Sequence, residues 1–153
     1  MPNLKPIKRH PSIQPLSREH HQGLLLSWKI KKGLSKNIES SRIANYVKWF
    51  YKEYLLSHFE AEEEHLFPIL DRDHPLVIRA LKEHQKISEL IQSDLHHKLT
   101  EFESLLDRHI RFEERKLFNE IQTIASEKQL LELNNQLSES DFCHKWEDEF
   151  WKE

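Results

Sequence analysis

His58-Phe59-Glu60-Ala61-Glu62-Glu63-Glu64-His65-Leu66-Phe67 is written a second time as His109-Ile110-Arg111-Phe112-Glu113-Glu114-Arg115-Lys116-Leu117-Phe118. The His, the two adjacent Glu, the Leu and the Phe are the same in both copies. Each copy sets a His and a Glu four residues apart. On an α-helix that spacing stacks them one turn apart, about 40° from each other around the axis. One imidazole and one carboxylate on each of two facing helices make half a metal-site ligand shell. No other stretch of the chain carries comparable chemistry.

The surroundings of the two copies are helical. Apolar residues recur at helical spacing before and after each motif: Ala44, Val47, Tyr51, Leu55 and then Leu66, Ile69 around the first, and Leu99, Phe102, Leu106 and then Leu117 around the second. The motifs therefore interrupt core faces near mid-helix. Only two Gly occur, and four of the six Pro lie in the first fifteen residues. This composition predicts an all-α protein. At 153 residues one domain is expected.

The punctuation divides the chain. Residues 1–15 read as an extended, Pro-rich arm. Ser17 is a cap for a first helix running to about Leu34, where Gly33 and Ser35 weaken it. A second helix starts between Glu39 and Ser41 and stops before Pro68. Asp73-His74-Pro75 opens a third, with Asp as cap. The fourth starts at Ser93-Asp94 or at the box Thr100-x-x-Glu103 and ends near Thr123. Short connections favour antiparallel neighbours, hence an up-down-up-down four-helix bundle over 16–123. Residues 124–153 read as a short helix of about 127–138, capped by Ser126, and an acidic, aromatic tail. Phe142, Trp146, Phe150 and Trp151 in that tail either dock as a last helical turn or contact a protein partner.

Eleven His in 153 residues call for an explanation. His84 lies mid-stripe in the third helix, between Leu81 and Ile87. In the first helix Leu16, His20, Leu24, Ser27 and Leu34 share a face opposite Arg18, Gln22, Lys29, Lys32 and Lys36, which makes His20 rather than His21 the inward residue. Gly23 and Ser27 are small and would leave room beside a metal. The inward set is then His20, His58, Glu62, His84, His109 and Glu113. Buried carboxylates are costly unless compensated, and cations between them and four imidazoles would compensate. Two carboxylates can bridge two metals with two His on each, leaving positions open for a ligand such as O2 or water. Mixed imidazole and carboxylate ligation suits iron, manganese or zinc. The competing account, a polar network in a helical core, leaves the repeated motif unexplained. Glu63, Glu64, Glu114 and His65 read as solvated face, as do His10, His74, His96, His97 and His144.

Other classes are poorly served. Net charge is −3 with both signs interspersed, which gives nucleic-acid binding no support. No apolar run approaches the roughly 20 residues of a membrane span. The start of the chain has no apolar core of a secretory signal. The single Cys143 excludes an intrachain disulfide framework and reads as a tail thiol in a reducing, cytoplasmic compartment.

Leu16-Ser-Arg-Glu-His20-His21, the two His-x-x-x-Glu-Glu-x-x-Leu-Phe copies, and Glu83-His84 together resemble the hemerythrin family in its bacterial cation-binding, or HHE, branch. The resemblance covers about 16–122. It implies a four-helix bundle around a non-haem centre of two irons, bridged by an oxo or hydroxo group and two carboxylates, with iron ahead of manganese or zinc. The ligands it implies are His20, His58, Glu62, His84, His109 and Glu113. Ser88 stands where oxygen-carrying hemerythrins place a further His, so one metal is expected to be more open and Ser88 to face it. The implied function is binding O2 or a related ligand, nitric oxide or peroxide, for sensing or handling. Alternatives are a di-iron redox enzyme, or a regulatory module acting through its aromatic tail. Relatives that repair iron–sulfur centres carry an N-terminal Cys-containing domain that this chain lacks, so it is expected to stand alone. Oligomeric state is left open.

Overall fold

A computed structural model describes residues 8–137 and 145–153. They form an all-helical bundle with no strand among the described residues. Helix α1 is Gln14–Ser35. Helix α2 spans 40–66 and α4 spans 99–124, each continuous but containing wider turns described below. Helix α3 is Pro75–Gln92 and α5 is Glu127–Gln136. Short 3-10 turns, Phe67–Ile69 and Leu95–His97, join α2 to α3 and α3 to α4, and a third, Phe150–Lys152, ends the chain. Phe142, Cys143 and His144 lie outside the described residues. No described helix is long and apolar enough to cross a membrane.

Several boundaries depart from the sequence expectation. Helix α1 begins before Ser17, with Pro15 in its first turn. Ser17 is instead a helical residue whose hydroxyl donates to Glu114. Helix α3 is capped by His74, not by Asp73: its Nδ1 accepts from the Leu76 N–H at 3.1 Å. Neither start proposed for α4 is used. The helix starts at Leu99, and Glu103 is buried, accepting from Ser27 Oγ at 2.7 Å. Helix α5 has the expected Ser126 cap, with Gln129 closing a reciprocal box. Helix α1 ends at Ser35, and Asn37, two residues on, takes the left-handed conformation (φ 56°) that Asn tolerates. The Ile38 N–H then bonds back to Gly33 O at 3.0 Å.

Apolar side chains fall into two cores. One contains Leu26 and Ile30 of α1, Ile43, Tyr46, Val47 and Phe50 of α2, Ile87 and Leu90 of α3, and Phe102 and Leu106 of α4. The other contains Leu16, Leu66, Val77, Ala80, Leu117, Phe118 and Ile121, closed by Leu130 and Leu133 of α5. Each fully buried Val, Leu, Ile or Phe among them contributes roughly 1.5–3 kcal/mol. In all four long helices the inward His and Glu lie between the residues of the two cores.

Gly23 and Gly33 serve close packing, not space for a metal. A Cβ on Gly23 would meet Ile110 Cδ1 of α4 at 2.5 Å, and one on Gly33 would meet Ile43 at 2.8 Å and Phe150 at 2.9 Å. The tail turn packs on α1, with Phe150 and Trp151 buried in the first core, so these two aromatic residues are used internally. It also buries Lys29, which the helical wheel placed outside. Lys29 Nζ lies 4.1 Å over the Trp151 ring and donates to the Tyr46 hydroxyl at 3.1 Å. Arg42 anchors the tail through Asp148 at 2.9 Å and Glu153 at 2.8 Å.

Candidate metal centre

Both motif copies interrupt the regular helix at the same place. The Phe67 N–H bonds to Glu62 O and the Phe118 N–H to Glu113 O, five residues back rather than four. These π-helical turns, Glu62–Leu66 and Glu113–Leu117, begin at the motif Glu. Such turns are rare and recur at functional sites. A third, Tyr51–Leu55, lies upstream in α2.

The six inward residues converge, and all are buried. His20, His58, Glu62 and Glu113 form one group and Glu62, His84, His109 and Glu113 another, with donor atoms of each group within 4.8 Å of one another. Both carboxylates belong to both groups. Glu62 Oε2 lies 3.4 Å from His20 Nε2 and 3.3 Å from His58 Nε2, while its Oε1 lies 3.2 Å from His84 Nε2. Glu113 Oε1 lies 2.9 Å from His20 Nε2 and 3.3 Å from His109 Nε2, and its Oε2 is 3.6 Å from His84 Nε2. His21, one residue from His20, is exposed.

Every imidazole in the cluster is held from behind by a second carboxylate. Nδ1 of His20 meets Glu114 at 3.1 Å, of His58 Glu19 at 2.9 Å, of His84 Glu63 at 2.8 Å, and of His109 Glu83 at 2.7 Å. With Nδ1–H donating outward, the Nε2 lone pair faces the cluster, the tautomer a metal requires. Glu63 and Glu114, expected to be solvated face, are therefore part of the site. Glu114 is also bound by Ser17 and, at 2.9 Å, by Arg9, which ties residues at the start of the chain to it.

The repeat now has a reason at each identical position. The His and first Glu enter the cluster. The second Glu bonds the single His of a neighbouring helix, Glu63 to His84 and Glu114 to His20. Leu66 and Leu117 are fully buried. Phe67 and Phe118 stack on the same two single His, with ring centroids 5.6 Å from His84 and 4.9 Å from His20.

Electrostatics in the cluster set burial against charge. Burial pushes the four imidazoles down, but the surrounding carboxylates outweigh it. His58 is raised to about 9 by the Glu62 charge and its bond to Glu19. His20, His84 and His109 are raised against the same burial by Glu113 and the other carboxylates beside them. Burial and mutual repulsion push Glu62 up, yet His58 and His20 hold it below the ordinary carboxylate value. Burial likewise opposes ionisation of Glu113, and His109, His20 and His84 overcome it. Without another cation the cluster balances its charge with protons, which a metal would displace.

The donor set fits a metal on a second count. Nε2 of His58, His84 and His109, both oxygens of Glu62 and Oε2 of Glu113 are buried without a hydrogen-bond partner. Orphaned polar atoms of this kind are uncommon in folded proteins. Here they face one another in one place, and they are the atoms that would bind a cation.

A family model described as the hemerythrin HHE cation binding domain matches residues 12–121. The chain belongs to that family. Comparison with curated proteins and with solved structures found no match. Hemerythrin-like membership and the buried His and Glu groups together indicate a metal-binding protein.

Ser88 departs from its expected role. It is partly exposed, its Oγ accepts from Gln92 Nε2 at 3.4 Å, and it lines a surface cleft of about 470 Å³ with Tyr51, Phe59, Glu63 and His84. Over His84 the ring of Phe59 is stacked at 4.0 Å. Two supporting groups, Glu19 and Glu83, were missed from the sequence. Their one available mark was that Glu19-His20 and Glu83-His84 are the same dipeptide on the two helices with a single inward His.

Proposed function

We propose that the central cluster holds two metal ions, that these are iron, and that the protein binds dioxygen, or a related molecule such as nitric oxide or peroxide, to sense or handle it. His20 and His58 would serve one ion, His84 and His109 the other, with Glu62 and Glu113 spanning both. The up-down-up-down order of the four long helices is the frame this reading assumes. One observation carries it: two donor sets share both carboxylates, and their facing atoms have no other partner. Four imidazoles and two carboxylates suit iron, as well as manganese or zinc.

Bound iron would supply one-electron chemistry and open positions for a small ligand. The protein's own groups do the rest. Glu19, Glu63, Glu83 and Glu114 fix each ring and raise its basicity through Nδ1. Phe59, Phe67 and Phe118 pack against the rings of His84 and His20 and keep bulk water from them. His84 itself lines the cleft bounded by Tyr51, Glu63 and Ser88, and a small molecule would approach the cluster from that side.

Two substitutions and one ligand test this reading. His20→Ala should lower bound iron and change the optical spectrum, whereas His21→Ala should leave both unchanged. Azide added to the iron-loaded protein should shift its visible absorption. If azide leaves the spectrum of a fully loaded sample untouched, small-ligand binding at the centre is wrong.

A further inference from the structure

We propose that Asp94, His96 and His97 form a second site, on the surface, for a divalent transition-metal ion of the zinc, nickel or copper type. It does not depend on the reading of the central cluster.

The site is built on the Leu95–His97 turn between α3 and α4. Leu95 is fully buried in the first core and anchors the turn. Backbone bonds close it: Leu95 N–H to Ser93 O at 2.8 Å, His97 N–H to Asp94 O at 3.1 Å, and Lys98 N–H to Leu95 O at 2.8 Å. With about three residues per 3-10 turn, positions 94 and 97 come to one side. The side chains follow. His97 Nδ1 lies 2.6 Å from Asp94 Oδ2 and His96 Nδ1 lies 3.0 Å from Asp94 Oδ1. The two imidazole centroids are 4.0 Å apart. One donor atom from each of the three residues lies within 4.8 Å of the others.

That spacing suits a shared ion. Bonds of about 2.0–2.2 Å from zinc to imidazole nitrogen and carboxylate oxygen put tetrahedral neighbours roughly 3.3 Å apart. Opening the 2.6 Å contact by about 0.7 Å and the 3.0 Å contact by about 0.3 Å would admit the ion between them. Two nitrogens and one oxygen favour zinc, nickel or copper over calcium and magnesium, which prefer oxygen shells. Asp94, His96 and His97 are all exposed. The ion would enter without burying charge and would complete its shell with water. The neighbouring Lys98 opposes a dication, and the Asp94 carboxylate offsets it.

The test is a calorimetric Zn2+ titration of the full chain, wild type against His96→Ala/His97→Ala and against Asp94→Asn, each first loaded with iron in the same way. The central cluster is common to all three proteins, so its behaviour cancels in the comparison whatever metal it holds. Wild type should take one more Zn2+ per chain than the double variant. Asp94→Asn should bind that ion at least tenfold more weakly. Melting temperature and iron content should be the same in all three, since the substituted side chains are exposed. Equal Zn2+ stoichiometry and affinity in wild type and the double variant would overturn the proposal.

Discussion

Glu83 holds His109 across the α3–α4 interface: His109 Nδ1 donates to its Oε1 at 2.7 Å, while Arg79 Nε donates to its Oε2 at 3.2 Å. A side chain outside the donor set thereby fixes which His109 nitrogen faces Glu113. Glu83→Gln keeps an acceptor but removes the charge that strengthens the imidazole as a ligand. Iron affinity should fall about 10- to 100-fold, the range for losing such a supporting group. Competitive chelation measures it, and Glu64→Gln, an exposed neighbour of the motif, is the control that should not change.

Protons and metal should compete visibly in stability. In the metal-free chain His58 is raised from its ordinary 6.5 to about 9. A raised pKa stabilises the fold fully below pH 6.5 and loses that contribution as pH climbs through 9. Lys29, lowered by burial from 10.5 to about 8, has the opposite slope above pH 8. The melting temperature of metal-free protein should therefore fall between pH 6.5 and 8. Metal-loaded protein should melt higher, since an ion that binds only the folded chain stabilises it, and its advantage should grow with pH. Thermal scans of both forms across that window are the measurement. A metal-free melting point that rises from pH 6.5 to 8 would contradict the charge balance derived for the cluster.

Gly23 should be sensitive to one carbon atom. An Ala there drives its Cβ into Ile110 Cδ1. The overpacking should cost about 1–3 kcal/mol in denaturant unfolding. Ile110→Val removes the atom that is struck, so the double variant should recover most of the loss. If Ile110→Val gives no recovery, the close approach of α1 and α4 at this level is not what selects glycine.

The tail turn should act as part of the first core. Phe150 is fully buried against α1 and α2, and Phe150→Ala should destabilise by about 3–5 kcal/mol. Metal content of the folded fraction should not change, because Phe150 packs on Gly33 and Tyr46, neither of which belongs to the His and Glu cluster. Urea unfolding and metal analysis on the same preparation separate the two effects.

The inward His and Glu residues were legible because they sit on core faces, where a polar residue breaks an otherwise apolar stripe. His20 was separated from His21 by the same geometry. Glu63, Glu114, Glu19 and Glu83 were not legible, because each lies beside that face and its partner is on another helix. Periodicity describes one helix at a time. The turns at Glu62 and Glu113 were hidden for a related reason: reading a wheel at a constant 100° per residue assumes that no hydrogen bond skips to the fifth residue. Lys29 read as exposed because the tail that covers it is distant in sequence. Ser88 was expected to face the cluster from its spacing to His84, yet it lines the outer cleft.

The most direct test of the central reading is the metal content of protein purified from an iron-supplied culture, taken together with its optical spectrum. The account predicts two irons per chain, with near-ultraviolet and visible charge-transfer absorption that disappears with the metal. It also predicts that Glu113→Ala loses both ions together, because Glu113 spans both donor sets. A folded wild type from that culture holding one iron or none would contradict it.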